Sequence, residues 1–313
     1  YLYANLNQFL IDNMENPIDE LHTLGDFIRW GASQFNQAEL FFGHGTDNAL
    51  DEAIVLVSYA LHLPPQFPDI LWHTRLTYAE KQRVFELFKR RVQERIPAPY
   101  LTHETWFANL RFHLDQRVLI PRSPLAELIE QQYEPWVDVS QVKRMLDLCT
   151  GSGCIAIASA MLALPDAEID AVDISYDALD IAQQNISSYG LEERVHSIYS
   201  NLFSNLVGVH YDLIVCNPPY ADSHEIRAMP EEYHHEPIIG LEAGEDGLFF
   251  VKQILPEAAQ YLTPQGVLIV EVGTSQACLV EQYPNVPFMW LEFQRGGEGV
   301  FLLTAEQLNN CEW

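Results

Sequence analysis

Asn217-Pro218-Pro219-Tyr220 is the stretch of this 313-residue chain whose residue types are best suited to chemistry. It follows the apolar run Tyr211-Asp212-Leu213-Ile214-Val215-Cys216, which reads as a buried parallel strand. Two prolines cannot continue a sheet ladder, so the strand must stop there and the chain must turn. Asn217 is thereby presented at the carboxyl end of a strand, where open α/β sheets place their ligands. Its side chain offers a carbonyl acceptor and an amino donor, and the proline nitrogens leave nearby carbonyls without local amide partners. Such an array of acceptors suits a substrate NH2 that must be held still while its nitrogen attacks. A strand-ending turn without chemistry is the plainer alternative.

A second feature is Asp147-Leu148-Cys149-Thr150-Gly151-Ser152-Gly153-Cys154-Ile155-Ala156, with glycines at a strand-to-helix junction. Glycines there allow a tight turn and a close approach of ligand to backbone. Gly151-x-Gly153-x-x-Ala156 also satisfies a dinucleotide fingerprint, so the glycines alone do not choose between a nicotinamide dinucleotide and S-adenosylmethionine. Asp147 would face a cationic amino acid moiety well and a pyrophosphate badly. The Asn217 tetrapeptide, one strand further on, points the same way, although Asp147 could instead merely satisfy loop amides. Asp173 closes the next strand, where a carboxylate can accept both ribose hydroxyls, or cap a turn. Ser175 reads as a helix N-cap ahead of Ala178-Leu179-Ile181-Ala182. Ser200-Asn201-Leu202-Phe203, after a third strand, is expected to line the adenine end.

These loops need a scaffold. From Ser123 onward, strand signals at Met145–Leu148, Ile169–Val172, Ser197–Tyr199, Asp212–Cys216 and Val267–Val272 mostly alternate with helical patterns, which predicts a doubly wound α/β sheet. Phe288–Phe293 and Val300–Leu303 flank Arg295-Gly296-Gly297-Glu298-Gly299, too short for a crossover helix, so the last pair should be an antiparallel hairpin, bringing the sheet to seven strands. Up to Arg95 the spacing is helical: Leu21, Leu24, Phe27 and Ile28, then Ala49, Ala53, Leu56 and Val57, then Val84, Leu87, Phe88 and Val92. Residues 1–95 are therefore expected to form a small helical domain for substrate recognition, and 123–313 the catalytic domain. Ile96-Pro97-Ala98-Pro99-Tyr100 cannot be helical throughout, so 96–122 is expected to be a linker. Within it, Thr105-Trp106-Phe107-Ala108 and Arg111-Phe112-His113-Leu114 predict a β-hairpin bridging the two halves.

Forty-four acidic against 17 basic residues give a net charge of −27, which repels a nucleic-acid backbone and attracts a basic partner. Lys81, Arg83, Lys89, Arg90, Arg91, Arg95, Arg111, Arg117 and Arg122 cluster ahead of the catalytic half, as a local contact for phosphate or an acidic surface or as a solvated helix face. The five cysteines are scattered and never spaced as CxxC, which argues for a reducing cytoplasm and against a disulfide framework or structural zinc. No apolar run approaches membrane-spanning length. The chain opens at Tyr1 without Met, so its natural start is expected upstream. After Tyr220, His224, Glu225, Glu231, Glu232, His234, His235 and Glu236 crowd one loop. His234-His235-Glu236 lacks the i, i+4 spacing of helical zinc sites, so no metal is expected. That loop, with Asp246-Gly247, is expected to cover the substrate and meet a basic protein with negative charge.

Taken together, Arg95-Ile96-Pro97-Ala98-Pro99-Tyr100-Leu101-Thr102, Val118-Leu119-Ile120-Pro121-Arg122-Ser123-Pro124, the Gly151 loop, Asn217-Pro218-Pro219-Tyr220 and Glu271-Val272-Gly273 resemble the protein-glutamine methyltransferases. Ile120-Pro121-Arg122-Ser123-Pro124, Asp147-Leu148-Cys149-Thr150-Gly151-Ser152-Gly153, Gly43-His44-Gly45-Thr46-Asp47-Asn48 and Trp290-Leu291-Glu292-Phe293 look like the branch acting on large-subunit ribosomal protein L-three. The resemblance runs nearly the whole chain. It implies a class I S-adenosylmethionine-dependent methyltransferase fold with the last strand antiparallel. Asp147, Cys149, Thr150, Gly151, Ser152, Gly153, Asp173, Ile174, Asn201, Leu202 and Asn217 are then the expected cofactor contacts. Asn201 stands where the family usually has Asp, so a charge is lost there while an acceptor remains. For catalysis, the expected residues are Asn217, Pro218, Pro219 and Tyr220: the Asn217 side-chain oxygen and the Pro218 carbonyl would accept the two amide hydrogens of a glutamine, with Tyr220 packing on the flat amide. An amide nitrogen is a poor nucleophile, so positioning must do most of the work. The same tetrapeptide serves a release-factor branch and the amino-methyltransferases of nucleic acids. A non-catalytic assembly factor with a vestigial pocket is a further alternative. The charge and the lack of a basic recognition domain argue against direct nucleic-acid binding.

Overall fold

The computed structural model describes residues 16–64 and 66–313, which fall into two units. One takes the chain up to Glu104 together with Pro230–His235; the other takes Thr105–Met229 and Glu236–Trp313.

In the first unit, helices α1 (Leu24–Gln37), α2 (Ala49–Ala60) and α3 (Tyr78–Gln93) start where short polar side chains can satisfy the free amides of the first turn. Thr23 with Asp26 and Thr77 with Glu80 form reciprocal capping boxes, and the Asn48 side chain accepts from Asp51 N–H. The helical spacing buries Leu24, Phe27 and Ile28 from α1, Ala53, Leu56 and Val57 from α2, and Val84, Phe88 and Val92 from α3. Leu21 precedes the α1 cap and Leu87 is only half buried, so both stand at the edge of the expected pattern. Ile96–Tyr100, expected as a linker, is instead buried, and Ala98–Thr102 closes one turn of helix, α4. Pro97 stands at its cap and Pro99 in its first turn, the one place where a missing N–H costs a helix nothing.

The second unit takes up the chain from the second residue of a hairpin, β1 (Glu104–Phe107) and β2 (Leu110–His113), joined by Ala108 and Asn109, both at positive φ as a primed turn demands. The chain continues through α5 (Leu125–Glu130), β3 (Arg144–Leu148), α6 (Cys154–Leu162), β4 (Glu168–Asp173), α7 (Tyr176–Ser188), β5 (Val195–Tyr199) and β6 (Tyr211–Cys216). After α8 (Ser223–Ala228) come α9 (Val251–Ala258), β7 (Leu262–Glu271), α10 (Gln276–Gln282), β8 (Met289–Trp290), β9 (Val300–Thr304) and α11 (Ala305–Asn310). The hairpin, expected as a bridge between domains, is docked on α7: the Asn185 side chain accepts from His113 N–H and donates to His113 C=O.

Seven strands form one sheet in the order β5-β4-β3-β6-β7-β9-β8. The pairs from β5 through β7 are parallel, while β9 runs antiparallel to both β7 and β8. The buried strands alternate between two cores. Met145, Leu213 and Val215 face a core with α5 and α6; Leu146, Leu148, Ile214 and Cys216 face one with α9 and α11. Strand order reverses beside β3, so β3 and β6 flank the topological switch point where such sheets open a crevice. Among the described residues, no helix is long and apolar enough to cross a membrane.

Candidate active site

Leu148 pairs with Cys216 at the last rung between β3 and β6, so Cys149 and Asn217 are the first residues beyond the sheet on adjacent strands. The two loops therefore share one crevice. Both line one open cavity, whose empty space, counted out to the solvent at its mouth, is about 1100 Å³.

Cys149, Thr150, Gly151 and Ser152 form one wall. At φ +55° Gly151 occupies the left-handed region, and the place of its missing side chain is open space, so any larger residue would be strained and would intrude on the cavity. Its N–H donates to Asp173 Oδ2 at 2.9 Å, while Asp173 Oδ1 accepts from Ser175 N–H at 2.9 Å. Asp173 thus reaches the cavity from the end of β4 with both oxygens oriented; burial pushes its carboxyl above the ordinary value. Ile174, Asn201 and Leu202 continue the wall beyond it. Gly153 does not line the cavity. It faces α7, where Ala182 lies 3.2 Å from the position a side chain would take.

Asp147 departs from expectation. Strand alternation turns it under α6, fully buried and away from the cavity wall. Its Oδ2 accepts from Thr150 Oγ1–H at 2.5 Å and from Ala156 N–H at 3.0 Å, so it ties the loop to the first turn of the helix. Burial pushes its carboxyl up to about 7 despite those two bonds. A carboxylate that faces a bound cation was the sequence expectation; the position found is that of a loop anchor.

Asn217, Pro219 and Tyr220 line the opposite wall, whereas Pro218 is buried behind it. Tyr220 is gripped at three points. Its hydroxyl donates to Glu271 Oε1 at 3.0 Å, its carbonyl accepts from Ser275 Oγ at 2.9 Å, and its ring lies where a side chain on Gly273 would begin, 2.5 Å away. Glu271, at the end of β7, also lines the cavity and accepts from Ser123 Oγ–H through Oε2 at 2.5 Å. The sequence reading did not single out Glu271 or Ser123 as site residues; their signal was only membership of two quoted motifs, without chemistry that spacing could reveal.

The segment Arg117–Arg122, expected within a linker, forms part of the wall through Arg117, Val118, Leu119, Pro121 and Arg122, with Ser123 next to it. It has no helical or strand period to betray it. Arg122 is bound bidentately by Glu236, whose Oε1 also accepts from Ile120 N–H. Glu236 is therefore spent inside the protein rather than offered to a partner. Glu232 is too: it is buried against Arg91 and Arg95, and Phe41 N–H donates to it. Asp246 pairs with Lys252, which holds its carboxyl down near 2. The loop after Tyr220 thus offers less free negative charge than its composition suggests. In the basic cluster, Lys81, Arg91, Arg95 and Arg122 are held by buried or half-buried protein acceptors, while Arg90 and Arg117 pair with Glu94 and Asp180 at the surface.

The profile of the family "Methyltransferase small domain" matches residues 130–232. The ribosomal protein uL3 glutamine methyltransferase of Xanthomonas campestris pv. campestris is 51% identical over 290 residues, 93% of this chain and 94% of that protein. Its namesake from Bordetella pertussis is 47% identical over 295 residues, 94% of this chain and 99% of that one. Among solved structures, the hMettl16 catalytic domain in complex with an RNA hairpin aligns over 72% of this chain and 81% of its own, with a TM-score of 0.48 at 18% identity.

Proposed function

The chain belongs to the family of ribosomal protein uL3 glutamine methyltransferases, and from that premise we propose that it moves the methyl group of S-adenosylmethionine onto the side-chain amide nitrogen of a glutamine in ribosomal protein uL3. The sheet is that of the class I methyltransferases, parallel with an antiparallel strand at its end. One observation carries the reading: Asn217 and the Gly151 loop meet in a single cavity at the switch point.

The cavity wall suits the cofactor. Asp173 offers an oriented carboxylate for ribose hydroxyls, Gly151 leaves room for close approach, and Asn201 and Leu202 would border the adenine. When bound, S-adenosylmethionine supplies a methyl group on a cationic sulfonium. Asp173 gives the cavity an acidic character that suits a cation. Asp147 would act from behind, by holding the Cys149–Gly153 loop in shape.

Asn217 would accept one amide hydrogen through its side-chain oxygen, with the Pro218 carbonyl taking the other. Two such acceptors draw the nitrogen toward pyramidal geometry and free its lone pair, an interaction that strengthens as the transition state forms. Tyr220 would lie against the flat amide and exclude water. The proton then leaves the methylated nitrogen for solvent, because a nitrogen-protonated amide is a strong acid and needs no resident base. A basic substrate protein is favoured by the charge of −27. A ribosomal substrate fits an enzyme that works in the cytoplasm.

The test is incubation with radiolabelled S-adenosylmethionine and, in parallel, purified uL3 and a release factor, with the label mapped by mass spectrometry. Label on a uL3 glutamine is the expected result. Label on the release factor alone would overturn the substrate, and no label on either despite cofactor binding would overturn the activity.

A further inference from the structure

Glu271 is 3% exposed, and both hydrogen bonds it receives come from neutral hydroxyls, those of Ser123 and Tyr220. A buried carboxylate held this way is costly, because neutral donors return only part of its lost hydration. The hydroxyls form a directed chain. Leu125 N–H donates to Ser123 Oγ at 3.1 Å, Ser123 donates to Oε2, and Tyr220 donates to Oε1. Tyr220 thus has its one hydroxyl proton committed to Glu271, with Gly273 behind its ring and Ser275 on its carbonyl. The ring cannot swing without breaking a charge-assisted bond, which is about twice as strong as a neutral one.

We propose that Glu271 is a positioning residue for methyl transfer, which fixes the Tyr220 ring as the wall against which the substrate amide lies and acts on the reaction only through that ring. The proposal rests on the methyl-transfer reading above. Its chemistry is mechanical: an amide nitrogen cannot be activated by a base near neutral pH, so reactivity depends on how narrowly the amide is held. A displacement of about 1 Å can cost roughly 100-fold in rate.

The test is a double-mutant cycle on the full chain, joining Glu271→Ala and Tyr220→Phe, with Glu271→Gln as the conservative variant. Rates of S-adenosylhomocysteine formation on uL3 are measured beside cofactor affinity by calorimetry. Glu271→Ala is expected to lower kcat roughly 10- to 100-fold with cofactor affinity within about twofold of the parent. Glu271→Gln, whose amide oxygen can still accept from Tyr220, is expected to recover most of that loss. In the Tyr220→Phe background, Glu271→Ala is expected to cost little more. An undiminished loss in that background, an equal loss in both variants, or unchanged kcat would each overturn the proposal. The 13Cζ resonance of Tyr220 gives a readout independent of activity. It should move in Glu271→Ala and stay near its parent position in Glu271→Gln, and an unmoved resonance in Glu271→Ala would overturn the proposal. Were the parent protein inactive on uL3 while that resonance behaved as expected, the methyl-transfer reading would fail and the positioning contact would stand.

Discussion

Asp147 pairs with Val215 on the neighbouring strand, two residues before Asn217, yet burial gives Asp147 and Asn217 opposite work. Asn217 was legible because two prolines must end its strand and expose it. Replacing it with Ala is expected to reduce turnover by roughly 100-fold or more while leaving cofactor affinity nearly intact, as paired calorimetry and label transfer would reveal. Asp147 was legible only as an acid near glycines; which face of β3 it occupies depends on what covers the sheet. Its folded-state value of about 7 lies above the ordinary 3.8, so the folded protein holds the proton more tightly than the unfolded chain. Its contribution to stability is therefore full below about pH 4 and is lost as pH rises through about 7. Asp147→Asn should remove this dependence. Urea unfolding at about pH 5 and about pH 8 should show the variant gaining on the parent at the higher pH.

At the scale of elements, helix α3 shows how far a composition argument reaches. Its basic residues read as a phosphate contact or a solvated face, but Arg91 is buried among Glu52, Glu232 and the Phe41 carbonyl. Glu232 comes from 141 residues further along, and burial of its carboxyl is outweighed by the Phe41 N–H bond and the charges of Arg91 and Arg95, which leave its pKa lowered. No local pattern could announce such a partner. Arg91→Ala leaves Glu52 buried without its cation and Glu232 with Arg95 alone, and is expected to cost about 3–5 kcal/mol in a denaturant titration. Helix α7 carries a second long-range device. Asn185 binds the hairpin through His113 and also donates to the Ser152 carbonyl of the glycine loop at 2.9 Å. Asn185→Ala strands those buried groups, and about 1–3 kcal/mol of stability should be lost together with some cofactor affinity.

For the whole molecule, charge is the governing quantity. With −27 overall, attraction to a basic substrate should be long-ranged and screened by salt. Raising NaCl from about 50 mM to about 500 mM is expected to lower kcat/KM for uL3 several-fold while the dissociation constant of the cofactor, held in a cavity, changes little. The sequence alone determined the alternating α/β order, the antiparallel finish and the two loops that meet at the crevice. Those features follow from local rules: apolar period, proline stops and glycine turns act over a few residues. Tertiary structure alone decided that Asp147 anchors a loop, that Ile96–Thr102 is buried and ends in a turn of helix, that Glu232 and Glu236 answer arginines, and that Glu271 grips Tyr220. Each of these depends on which residues distant in the chain become neighbours, and on whether water is left between them.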